Sequence, residues 1–340
     1  MFRICSLLAA VFFSGLALAH HSTIAIYDSS QSVEITGSVR SVSWRNPHGQ
    51  IILDAEDESG QIVQWEVETA AVSVLRIRGL DQDLIAVGDR ITIAGSPARR
   101  SINEMAARNI LLPSGYELAF NAERPHFPAG KNGNLISRVY DQSNVQAAIA
   151  SADGIFRTWS TVMSDPAAFP MFKGGYPLTE AAEQVVANWN PLDNKLLRCG
   201  TKGTPLIMIT PATIDFVHDG DDILMRIEEY DVRRRIHMSD DAIEPDQHTQ
   251  FGFSRGRWEG TTLVVATDHI SAQDFDPDGV PQSEHITVVE RFMPDDAYDR
   301  LDYRITITDP IYFTEPFDLT RYFVWRPEMT VKPYECLERE

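Results

Sequence analysis

The chain is poor in cysteine, in basic residues and in long apolar runs. Three cysteines in 340 residues exclude a disulfide-dense scaffold. With Cys5 inside an N-terminal apolar stretch, only Cys199 and Cys336 remain, too few for a structural zinc site. Lys and Arg number 30 against 49 Asp and Glu, a formal net charge of −19. Such a surface repels nucleic acid and anionic lipid, so no nucleic-acid partner is expected. Past residue 19 no apolar run approaches the length of a membrane span. The sequence has no repeat of fixed period and no low-complexity segment, and no nucleotide cofactor is expected. What remains is ordinary globular composition, 43% hydrophobic and 23% charged, long enough for two domains.

The opening MFRICSLLAAVFFSGLALA joins a basic n-region at Arg3, an apolar run and a small-residue cleavage site, Ala17-Leu18-Ala19. This is the pattern of a secretory signal peptide over residues 1–19. It predicts a periplasmic or secreted protein whose mature chain begins at His20. In such an oxidising compartment a Cys199–Cys336 disulfide is the default, with two buried thiols as the alternative.

Residues 20–118 read as a small β-barrel domain. Apolar and polar positions alternate over 32–42, 50–57, 62–68 and 89–94, with turn signals between them. Ala70 to Arg78 has helical spacing and stops at Gly79. Five short strands with a helix between the third and fourth is the pattern of an OB-like barrel. Residues 119–204 form a Pro/Gly-rich connector with helices expected at Asn134–Ala150 and Leu178–Trp189. Residues 205–340 are β throughout, with nine candidate strands beginning at Leu206–Thr210 and ending at Phe317–Trp325. Tight turns between sequential strands predict an antiparallel meander closed into a lipocalin-like barrel. The fold class is therefore mainly β, with a few helices in the connector.

Two sets of motifs carry a resemblance. His20-His21-Ser22, Trp44-Arg45-Asn46-Pro47-His48, Trp65-Glu66-Val67-Glu68 and the 84–89 segment LIAVGD resemble an uncharacterised family of small exported bacterial proteins. Leu197-Arg198-Cys199, Gly256-Arg257-Trp258-Glu259-Gly260, Glu290-Arg291-Phe292 and Tyr334-Glu335-Cys336 resemble a second uncharacterised family. That family often has a Pro-His pair where this chain has Pro281-Gln282. Neither resemblance implies an activity.

Four constellations carry chemistry. His20, His21 and His48 form a nitrogen-rich set, and a processed His20 adds its α-amine; such donors favour copper, with zinc behind it. The alternative is a frayed terminus and a turn histidine. Asp274, Asp276 and Asp278 at alternate positions before Gly279 read as the first half of a calcium loop, with Glu284 one place short of the bidentate position. The alternative is a solvated acidic hairpin loop. Gly252-Phe253-Ser254-Arg255-Gly256 matches a nucleophile-elbow spacing, but a hairpin rather than a helix follows it. Arg235, Arg257, Glu290 and Arg291, with Trp258 among the aromatics, are candidates to hold the polar end of a ligand inside the larger barrel, or else to form outward salt bridges.

The leading expectation is an exported binding protein holding a small apolar or amphipathic ligand in the C-terminal barrel. The alternatives are a copper- or zinc-binding protein using the N-terminal histidines, and a hydrolase- or isomerase-type enzyme using Glu290 or His237. No convincing catalytic set favours the last.

Overall fold

The structure is a computed structural model that describes residues 26–77, 82–119, 125–128, 142–163, 165–168, 172, 174–190 and 194–336. Alternation places Ile35 and Val39 of β1 (Val33–Ser43) on one face, where both are buried. Around them closes the small barrel. β1 pairs antiparallel with β2 (Gln50–Glu56) on one side and β4 (Arg90–Pro97) on the other. β2 continues to β3 (Ile62–Glu68), β4 to β5 (Glu104–Leu111), and β3 meets β5 in parallel to complete the barrel. A short β6 (Glu117–Ala119) lies along β5. The expected helix is α1 (Val72–Ile77), which buries Leu75 on the core of Leu53, Val67, Ile91, Ile93 and Met105. At Gly95 the ladder slips one residue, and an added Cβ would lie 2.2 Å from the carbonyl oxygen of Ala106. Only glycine allows the two strands to approach there.

In the connector, α2 covers Gln142–Ala150, and positions 134–141 of the expected helix lie outside the described residues. α3 (Glu180–Ala187) starts where Thr179 accepts a hydrogen bond from the Ala182 amide at 3.3 Å, the N-cap that the Thr and following acids signal. The connector also supplies a short strand, β7 (Thr158–Ser160). Three residues are too few to show a period, yet Trp159 between them is fully buried.

The large barrel has nine strands. β8 (Ile214–Asp219), β9 (Asp222–Ile227) and β10 (Val232–His237) form a meander, as do β11 (Phe253–Glu259), β12 (Thr262–Asp268), β13 (Thr287–Pro294), β14 (Arg300–Thr308) and β15 (Phe317–Trp325). β7 bridges β15 and β8, and β10 meets β11 in parallel through Ile236↔Ser254 and His237↔Arg255, so the ring closes without a free edge. The pure antiparallel meander is thus corrected at one seam. The first expected strand is also corrected: Leu206–Ile209 is a 3-10 turn with all four side chains buried. A short apolar run has no period that separates a strand from a buried helical turn. Arg321 of β15 donates to the carbonyls of Met208 at 2.6 Å and Thr210 at 3.0 Å and ties this turn to the barrel.

The two barrels touch. Arg76 of α1 pairs with buried Glu228 after β9, and the Asn46 amide donates to the Glu335 carbonyl at 3.2 Å. Cys336 beside it is bonded to Cys199, with 6.1 Å between their Cα atoms. No described helix is long and apolar enough to cross a membrane.

Candidate functional site

In β10 the residues Val232, Arg234 and Ile236 face inward, while Arg233 and Arg235 face solvent. Arg234 therefore enters the large barrel. There it donates to both oxygens of Glu290, at 3.1 Å to Oε1, and to the hydroxyls of Ser254 at 3.1 Å and Thr267 at 3.0 Å. The Tyr303 hydroxyl adds a 2.8 Å bond to Glu290. Burial opposes the charge on Arg234, but the Glu290 carboxylate beside it raises the guanidinium above its ordinary value. Burial, and then the Glu290 charge, push the Tyr303 phenol well up. Arg321, also buried, is pulled down to about 9 by desolvation. It therefore still carries its charge at neutral pH. Trp159, Phe216, Phe292 and Phe323 pack around the network. These side chains fill the interior around the network.

Of the five ligand candidates, only Glu290 points inward. Arg235 pairs with Asp219 at 2.6 Å, and Arg257 and Arg291 both grip Glu259, at 2.6 and 2.7 Å. Trp258 is 44% exposed, near Phe156 on the outer surface. The three arginines thus form outward ion pairs of small value. Arg234, the residue that matters inside, was missed in a run of three arginines. Val232 and Ile236, two positions either side, were the available signal.

Neither catalytic reading is assembled among the described residues. Ser254 is bonded to Thr267 at 2.9 Å and to Arg234, and to no histidine. His237 pairs with Asp222 at 3.0 Å on the barrel rim, apart from Glu290. Three donor contacts lock the Glu290 carboxylate in place, and a general base needs a reachable one.

The acidic loop closes on itself. Asp276 accepts from the amides of Asp278 and Val280, both at 2.9 Å, and Asp274 lies 3.4 Å from Lys195. Burial raises the Asp276 carboxyl to about 6. Asp274, Asp276, Asp278 and Glu284 do not converge, and no described group of three or more His, Cys, Asp or Glu side chains does so for a metal. In this structure the Asp276 carboxylate of that spacing serves an Asx-type turn.

His48 sits in the turn that Asn46 ties to the C-terminal segment. Its Nδ1 lies 3.2 Å from the Thr69 carbonyl and 3.3 Å from Glu68 Oε1. The other oxygen of buried Glu68 accepts from Tyr27 at 3.1 Å, and that hydroxyl is also 3.1 Å from Glu104. His20 and His21 lie outside the described residues.

A cleft of about 200 Å³ opens at the end of the large barrel where β11 begins and β12 ends. Trp189, Asn194, Lys202, Gln250, Ser271 and Gln273 contribute to its walls. No curated protein matches the chain. The chain is similar over residues 9–106 to a family of unknown function, DUF6152, which bears on the small barrel alone.

Proposed function

We propose that the protein is an exported metal-binding protein that holds copper, or zinc less tightly, at the edge of its small barrel. The single observation behind this is that His48 and Tyr27 share the carboxylate of Glu68. The chain leading into Tyr27 carries His20 and His21 only six to seven residues upstream. At about 3.3–3.6 Å per residue that stretch spans at most roughly 25 Å, ample to bring either imidazole back to His48. Nδ1 of His48 is turned toward Thr69 and Glu68, which leaves Nε2 for a metal. Two or three imidazoles with an N-terminal amine make a nitrogen-rich donor set suited to Cu(II). Glu68 and Glu104 supply negative charge beside it. Removal of residues 1–19 on export frees the His20 amine, and the Cys199–Cys336 disulfide fits the same oxidising compartment. The C-terminal motifs, which resemble a second exported family, agree with that location and assign no chemistry.

The test uses protein purified through its export pathway, with its first residue read by mass analysis. Cu(II) and Zn(II) are titrated by calorimetry, and the copper form is examined by electron paramagnetic resonance. His48→Ala and His20→Ala each lower copper affinity tenfold or more, and the spectrum shows nitrogen coupling. Unchanged affinity in both variants overturns the proposal.

A further inference from the structure

The geometry points to His248 and His269, just before β11 and just after β12, as a two-imidazole site for a zinc ion. Thr249 and Ile270 form a parallel bridge, which sets positions 248 and 269 side by side. Two backbone bonds hold this bridge. The Thr249 amide donates to the His269 carbonyl at 2.9 Å, and the Ser271 amide to the Thr249 carbonyl at 2.8 Å. His269 also takes a φ of 53°, in the left-handed region, where a non-glycine residue stays only if its surroundings hold it. The two ring centres are 5.1 Å apart, with 54° between their planes. Imidazole nitrogens bind zinc at about 2.0–2.1 Å, so two rings on one tetrahedral ion have centres about 5 Å apart. At the right angle of a tetragonal copper site that separation would be about 4.5 Å. The spacing between these two rings is the tetrahedral one.

Each ring is oriented through its Nδ1. That of His269 lies 2.6 Å from Asp268 Oδ1, and that of His248 lies 3.4 Å from the Ile270 carbonyl. Both partners only accept hydrogen bonds, so Nδ1 carries the proton of the neutral ring and Nε2 keeps the lone pair. Neither Nε2 makes a hydrogen bond among the described residues. A carboxylate and a backbone carbonyl are the kinds of partner that fix metal-binding imidazoles. The nearby charge favours a cation. Arg255 lies 3.1 Å from Asp268 and also pairs with Glu244, so one guanidinium answers two carboxylates. The remaining positions on the ion open to solvent, since His248 is exposed. The pair belongs to the large barrel and is independent of the metal proposal at His48 on the small one.

The experiment uses the full mature chain carrying His20→Ala, His21→Ala and His48→Ala together, which removes the imidazoles of the small-barrel proposal. Zinc is titrated by calorimetry, and the histidine ring nitrogens are followed by NMR. One zinc ion binds, and the Nε2 signals of His248 and His269 shift while their Nδ1 protons remain. Adding His248→Ala, at an exposed position, removes that zinc without touching the core. Adding His269→Asn does the same with a residue that tolerates the left-handed backbone. Asp268→Asn keeps an oxygen for Nδ1 but loses the charge, and weakens zinc binding about tenfold. Calcium, which oxygen ligands would hold, gives no heat. The inference is overturned if the triple variant binds no zinc, if zinc binds as well after both His248→Ala and His269→Asn, or if calcium competes for it. Copper affinity at His48 is read in the parent protein, so either proposal can fail without the other.

Discussion

The small barrel is filled by aliphatic side chains and Met105, whereas the large one has an arginine–glutamate pair near its middle. Five strands enclose so little space that Leu53, Val67, Ile91 and Ile93 meet across it. Nine strands enclose more, and long side chains fill much of it: Trp159, Tyr303, Arg234, Arg321. Once an arginine is used to fill space, its charge has to be answered, and Glu290, Ser254, Thr267 and Tyr303 answer it. Barrel size thus decides whether a core stays purely apolar or recruits a polar network. The network contributes specificity and rigidity; replacing it whole with apolar groups of equal volume costs little.

This contrast sets the ranking of expected effects. The largest belongs to the disulfide that anchors the C-terminal segment where it meets the small barrel. Cys199 and Cys336 are separated by 137 residues, and Cys336 lies beside Asn46 of the small barrel. Replacing both by serine removes about 5 kcal/mol by the chain-entropy account. Denaturant unfolding under non-reducing conditions then shows two separate transitions in place of one.

Next comes the polar network. Glu290→Ala leaves Arg234 charged and buried, at a cost of about 3–5 kcal/mol, while Arg234→Met combined with Glu290→Leu recovers most of the loss. A double variant as unstable as the single one breaks the account of the network as a space filler. In the small barrel, Leu53→Ala costs about 2–4 kcal/mol through the cavity it leaves. Denaturant unfolding then shows the single transition moved to lower denaturant.

The pH dependence of the large barrel's acidic loop is smaller. The Asp276 carboxyl titrates at about 6 when folded against 3.8 for the free group, with burial as the chief cause. The folded state therefore holds this proton more tightly than the unfolded state. Stability contributed here falls as pH rises from about 4 to about 6, by roughly 3 kcal/mol, and is level above. Thermal melts of Asp276→Asn, which keeps an oxygen for the Asp278 and Val280 amides, lose that slope. Smallest is Arg291→Ala on the outer face, within about 0.5–1 kcal/mol and weaker still at high salt.

Strands with clean alternation were legible in the chain, and β12 to β15 follow their expected ranges closely. So were the helix after β3, the N-cap at Thr179 and the Cys199–Cys336 pair. β7 and the Leu206–Ile209 turn were not, because three- and four-residue segments take their form from what they pack against. Among candidate site residues, whose inward or outward face the sequence left open, Glu290 lies inside, while Arg235, Arg257 and Arg291 sit one position out of phase with the interior face. The cleft was invisible in the sequence because Trp189, Lys202, Gln250 and Ser271 are far apart along the chain.

Period-two patterning, turn residues and two cysteines were enough by themselves to specify two β domains and one covalent link, since each is a local rule or a count. The barrel's parallel seam, the choice of Arg234 over its neighbours, and the convergence of Tyr27 and His48 on Glu68 were decided only on folding. Closing a sheet fixes which face looks inward and which distant loops meet, and that closure is a property of the whole ring.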